Sequence, residues 1–132
     1  MGIFLLSFIR CTNDKSSTVT AEKDNQLLRA IHIQPLGDVN PDVIRDICNG
    51  IEAFYGVKPT IEPVVALTDD LLAKSRTRYE AGKILNKFKC DKNLLIVTEK
   101  DIAIKNTRRN SAEWGIFGLG FWPGETCVVS TF

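Results

Sequence analysis

Leu94-Leu95-Ile96-Val97 is an uninterrupted run of four apolar residues. The run is far below the roughly 20 residues that span a bilayer, and it lacks the alternation of a strand with one wet face. A strand covered on both sides is the arrangement that suits it. The chain therefore needs a sheet with layers above and below, which places it among α/β folds.

The residues ahead of this run supply those layers. Ala30-Ile31-His32-Ile33-Gln34-Pro35-Leu36 alternates apolar and polar positions and stops at Gly37-Asp38, as a first strand would. Asn40 is a capping residue, Pro41 suits the first helical position, and Asp42 falls in the first turn. Val43, Ile44, Ile47, Cys48, Ile51 and Phe54 trace one face of that helix, which Gly56 ends. In Val57 to Leu67, Pro59 and Pro63 cannot donate to a ladder, so the strand there is broken or lies at a sheet edge. Ser75 is the expected cap of a second helix whose buried stripe is Ala81, Ile84, Leu85 and Phe88. Strand, helix, strand, helix, strand with right-handed crossovers makes a largely parallel core.

Beyond Ile104 the chain turns polar and basic from Lys105 to Ser111 and then glycine-rich from Trp114 to Trp122. Pro123-Gly124-Glu125 is a turn, and Cys127 to Phe132 reads as a strand, so the last pair forms a β-hairpin added to the core. The expected architecture is α/β (α+β), a mixed, mostly parallel sheet of about five strands with an antiparallel edge strand and two helices. The folded domain is expected over residues 28–132. It ends on Phe132 without a polar tail, as if cut within a larger domain.

Residues 1–27 stand apart. MGIFLLSFIRC is a short apolar run ending at Cys11, and TNDKSSTVTAEKDNQ is a solvated linker. The outline is that of a shortened export signal or lipoprotein leader. Against it, no lysine or arginine precedes the apolar run, and Arg10 stands where a small residue is expected. Membrane anchoring through this terminus, an envelope location and a cytoplasmic one all stay open.

The chemistry-bearing residues are sparse. Lysine plus arginine number 17 against 16 acidic residues, which leaves no field to gather nucleic acid. The four cysteines have no CxxC spacing, and Cys48 and Cys127 read as small buried hydrophobes. His32 is the one histidine and has no second ligand at metal spacing, so a structural or surface role is expected. Ser130 lacks a GxSxG elbow. Arg76, Arg78 and Tyr79 in KSRTRYEA suit an anion or, more simply, exposed cations at a helix start. GIFGLGFWPG has neither GxGxxG ahead of a helix nor GK[ST]. Its alternating glycines instead strip one strand face so that another backbone can lie close, as in strand addition; internal packing or a bulge is the competing explanation. Trp114 and Trp122 beside it read as packing residues.

Together these segments resemble the archaemetzincin family of zinc metallopeptidases, from about Ile31 to Phe132. IHIQPLGDVNPDVI is similar to the family's opening strand, PLG turn and first helix. SRTRYEAGKIL is similar to its arginine-tyrosine-alanine helix, NLLIVTEKDI to its central strand and following turn, and WGIFGLGFWPGETCVVSTF to its edge strand and VVST strand. The likeness is greatest to the bacterial branch.

It implies a metzincin-like N-terminal subdomain, peptide-bond hydrolysis, and zinc as cofactor of the full-length family member. Catalysis in the family rests on an HExxHxxGxxH helix whose histidines hold zinc and whose glutamate activates water. None of that motif occurs in this sequence, so no catalytic or metal residue carries over. The chain is expected to be a truncated, inactive form that holds no zinc. The region that does carry over is the substrate-binding edge strand, at Gly118, Leu119 and Gly120, whose partner would be an extended peptide or protein substrate. Two readings compete: a non-catalytic module that binds peptides by strand addition, and an envelope protein anchored at Cys11.

Overall fold

The computed structural model describes residues 30–105 and 113–132. The leader-like run, the linker and all but the first residue of the basic loop lie outside them.

Strand β1 (Ile31–Pro35) is followed by helix α1 (Pro41–Tyr55), the two-residue strand β2 (Thr60–Ile61), a 3-10 turn (Asp69–Leu71), strand β3 (Tyr79–Glu80) and helix α2 (Ala81–Phe88). Strands β4 (Asn93–Thr98), β5 (Ile102–Lys105), β6 (Glu113–Ile116), β7 (Gly118–Gly120) and β8 (Thr126–Ser130) complete the chain. The main sheet has the order β2-β1-β4-β8-β7. Its first four strands are parallel, and β7 is antiparallel to β8. This is the expected mixed α/β sheet with an antiparallel edge and two helices.

The run that demanded two covered faces lies at the centre, as β4. Leu94 and Ile96 join Leu36, Ala81, Ile84, Leu85, Ile102 and Val128 in the cluster beneath α2. Leu95 and Val97 join Ile31, Ile33, Ile44, Ile51 and Cys127 beneath α1. Fully burying a side chain of this size stabilises by about 1.5–3 kcal/mol, so these two layers hold the sheet.

The α1 signals work as expected. Asn40 Oδ1 accepts from the Asp42 N–H at 2.9 Å, and Gly56 takes φ 68° while its N–H donates to the Glu52 carbonyl. One member of the anticipated face fails: Ile44 and Ile51 are buried, but Phe54 is 72% exposed in the last turn, edge-on to Tyr55. The stripe stops being covered after Ile51.

The anticipated Ser75 cap is also corrected. Helix α2 starts at Ala81 with Glu80 in the cap position, and Ser75 is instead held by Glu113, to which its N–H and Oγ donate at 2.8 and 2.5 Å. The stripe Ala81, Ile84 and Leu85 is buried as expected, with Phe88 packed against the same cluster.

A second sheet, of order β3-β5-β6, went unanticipated. It divides the expected Trp114–Trp122 strand in two: β6 pairs with β5 and β7 with β8.

Candidate functional site: the open edge of the main sheet

The position of β7 at the end of the sheet makes Gly118, Leu119 and Gly120 an edge, and the hydrogen bonds show which of their groups are spent. The Ser130 N–H donates to the Phe117 carbonyl at 2.8 Å, and the Phe121 N–H donates to the Thr126 carbonyl at 3.2 Å. Leu119 is opposite Val128, in phase with both pairs. In an antiparallel ladder, alternate residues aim both backbone groups at the same neighbour. Phe117, Leu119 and Phe121 therefore face β8, and the N–H and C=O of Gly118 and Gly120 point away from it; Gly120 is half-buried and Gly118 is buried. An added strand needs such a row to be open, and of the two glycines only Gly120 is partly exposed.

The side chains follow the same alternation. Leu119 and Phe121 pack on the cluster beneath α2, and so does Ile116. Regular alternation would put Ile116 and Leu119 on opposite faces, so one extra residue intervenes. Phe117 is that residue, at the point where the chain leaves β5 for β8, as in a β-bulge. Its ring is 71% exposed. On the other face, Gly118 and Gly120 contribute no side chain beside Val129 and Cys127, their partners in register.

The opposite edge of the sheet differs. The Glu62 N–H donates to the Ile33 carbonyl at 2.8 Å, which leaves Ile61 facing outward; β2 is only two residues long, and the buried Pro59 and the exposed Pro63 that flank it have no N–H to donate. Pro35, inside β1, has no N–H to offer Glu62, and the pairing resumes one residue late, with the Val65 N–H donating to the Pro35 carbonyl. Gln34 Nε2 fills the irregularity by donating to the Pro63 carbonyl at 2.6 Å. Within the five-stranded sheet β7 and β2 are the two edges, and β2 is the shorter, proline-flanked one.

Long-range contacts brace the strand that leads into this edge. Arg78 Nε donates to Asp101 Oδ2 at 2.6 Å, and its guanidinium lies over Gly115, where an added Cβ would meet Cζ at 3.4 Å. The Ser75 bonds hold Glu113, at the start of β6, below the ordinary carboxyl range. Arg78 is therefore a half-buried brace rather than an exposed cation at a helix start. Arg76, with φ 58°, stays exposed in the preceding loop.

The other candidate residues are structural. His32 Nδ1 lies 2.6 Å from Glu62 Oε1, joining β1 to the segment after β2. Ser130 Oγ donates to the Lys100 carbonyl at 2.7 Å. Cys127 is buried and burial pushes its thiol up to about 12; Cys48 is half-buried with its thiol also raised by burial.

Zinc sites take three or four converging nitrogen, sulfur or oxygen donors. Among the described residues no three His, Cys, Asp or Glu side chains come together in that way, and His32 is engaged with Glu62. These residues do not fit a zinc site. The structure places Gly118, Leu119 and Gly120, singled out from the sequence, together as strand β7. Among the described residues no helix is long and apolar enough to cross a membrane.

The sheet order, two covering helices and antiparallel edge strand define a mixed α/β fold of the archaemetzincin kind. It is similar to the crystal structure of archaemetzincin from Archaeoglobus fulgidus complexed with malonate, with a TM-score of 0.65 and 27% identity over 76% of this chain. The archaemetzincin from Methanopyrus kandleri shares the fold at a TM-score of 0.56 and 18% identity over 77% of this chain. This chain spans 60% and 58% of those two chains. No protein-family model and no curated protein matches it.

Proposed function

We propose that this chain is the sheet-bearing part of an archaemetzincin-like metallopeptidase, and that it supplies the edge along which an extended peptide substrate lies. The zinc and the water-activating glutamate of such an enzyme belong to residues that this sequence does not contain. In this reading the chain by itself binds peptide backbone and does not hydrolyse it. The observation that carries the reading is the place of β7 at the end of the sheet, antiparallel to β8, with the half-buried Gly120 backbone aimed away from β8. The likeness to the Archaeoglobus fulgidus archaemetzincin supports the choice of family.

Two measurements test it. Methylating every second backbone nitrogen of an extended peptide, in either phase, should abolish binding in one phase and spare it in the other, because only alternate N–H groups face β7. Equal effects in both phases would count against strand addition. Metal analysis of the purified protein should find well under one zinc per chain; a stoichiometric ion, or peptide cleavage sensitive to chelators, would overturn the division of labour.

A further inference from the structure

We propose that the loop of residues 73–78 is a receptor for a phosphate group, and that the Glu113 carboxylate is its built-in, displaceable occupant. This inference does not depend on the strand-addition reading. The loop is closed at its base: the Ala73 N–H donates to the Arg78 carbonyl at 2.8 Å, and Leu72 bridges Tyr79 in the antiparallel sense. Inside it the Arg76 N–H donates to the Ala73 carbonyl at 2.9 Å, and Arg76 takes φ 58°, a left-handed conformation uncommon for a residue with a side chain. Turns that pass into the left-handed region gather successive backbone N–H groups into an anion-binding concavity. An anion is in place here. Glu113, 38 residues away in the chain, accepts from the Ser75 N–H at 2.8 Å and from the Ser75 hydroxyl at 2.5 Å, and the Lys74 N–H and the Arg78 guanidinium draw on the same carboxylate.

The surroundings hold more positive charge than one carboxylate uses. Lys74 and Arg76 flank Ser75, are exposed, and take part in no ion pair among the described residues. Lys105 is the partner of Glu113 in register, which puts the two side chains on one face of the β5–β6 pair. Arg78 differs in being bound to Asp101. A carboxylate brings two oxygens and one charge, whereas a phosphate group brings three or more oxygens and up to about two charges, and so engages these donors more fully. The exchange needs no movement of the core, since Lys74, Ser75 and Arg76 are exposed and Glu113 begins the edge strand β6.

The test titrates the 132-residue chain with inorganic phosphate at constant ionic strength while the Ser75 amide resonance is followed. That resonance should move saturably. While Glu113 holds the loop only a small fraction of molecules is competent, so Glu113→Ala should tighten phosphate binding by about ten-fold. Loss of a negative charge would by itself favour an anion, so Glu113→Ala is also combined with Ser75→Ala, which should cancel most of the gain. Matching circular dichroism spectra confirm that the fold is kept. Titration with phosphoserine distinguishes a free ion from an esterified group, and saturable binding of either supports the assignment. Equal affinity in Glu113→Ala and the unaltered chain, a Ser75 amide that stays still in both, or a gain that persists without the Ser75 hydroxyl overturns it.

Discussion

Replacing Val128 by alanine removes the residue that joins the open edge to the centre of the sheet. Val128 is fully buried, with Ile96 of β4 as its partner in register on one side and Leu119 of β7 on the other. The truncation takes away two methyl-sized groups, about 0.8 kcal/mol each by transfer. The space they leave is walled by Ile96, Leu119 and the α2 stripe, and incomplete collapse adds roughly 1 kcal/mol. The expected loss is therefore about 2–3 kcal/mol. In a urea titration with a slope near 1.5 kcal/mol per molar, the midpoint falls by between about 1 and 2 M. Val129, half-buried on the other face, serves as the comparison, and Val129→Ala should cost less. If Val128→Ala shifts the midpoint no more than Val129→Ala does, the two-layer account of the sheet is wrong.

Three further outcomes are expected. Gly37→Ala should destabilise by about 1–2 kcal/mol in the same titration, because Gly37 has φ 79° and an added Cβ would come within 2.7 Å of Leu67 Cδ1. The Ser75 hydrogen bonds depress the Glu113 carboxyl below its ordinary value of 4.5, so their contribution is present above that pH and is lost as the pH falls through the lowered value. The Ser75 amide resonance should titrate with a midpoint below 4.5, and in Ser75→Ala that midpoint should move back toward it. Cys127, with its thiol pushed up to about 12 inside the sheet, should resist alkylation at pH near 8 until the protein is denatured, while exposed Cys90 reacts at once in peptide mass mapping.

What the sequence disclosed, and what it withheld, follows the range of the interactions involved. Helix α1 was legible because Asn40, Pro41 and Gly56 act on their own neighbours, and β4 because a four-residue apolar run has few other places to go. The start of α2 was misjudged because Ser75 looks like a cap locally, whereas its partner Glu113 is 38 residues away and nothing near Ser75 announces it. The β3-β5-β6 sheet was hidden for the same reason: β3 is two residues long and exists through its pairing with β5. Phe54 falls on the helical stripe by period, yet among the described residues no layer covers it in the last turn. At the candidate site, alternating glycines marked the edge. Which backbone groups face outward depends on the phase of the β7–β8 ladder, and that phase is set only once the two strands have met.

The contrast between the two margins of the main sheet limits how copies of this protein can stick to one another. If two copies meet through these margins, β7 lies against β7, and both β7 edges are then used up. The far side of each copy is β2, a strand of two residues followed by Pro63, which has no hydrogen to offer a third chain. Growth by this route ends at a pair and gives no fibre. A peptide occupying β7 would block even that pairing, so ligand and twin compete for one row of atoms.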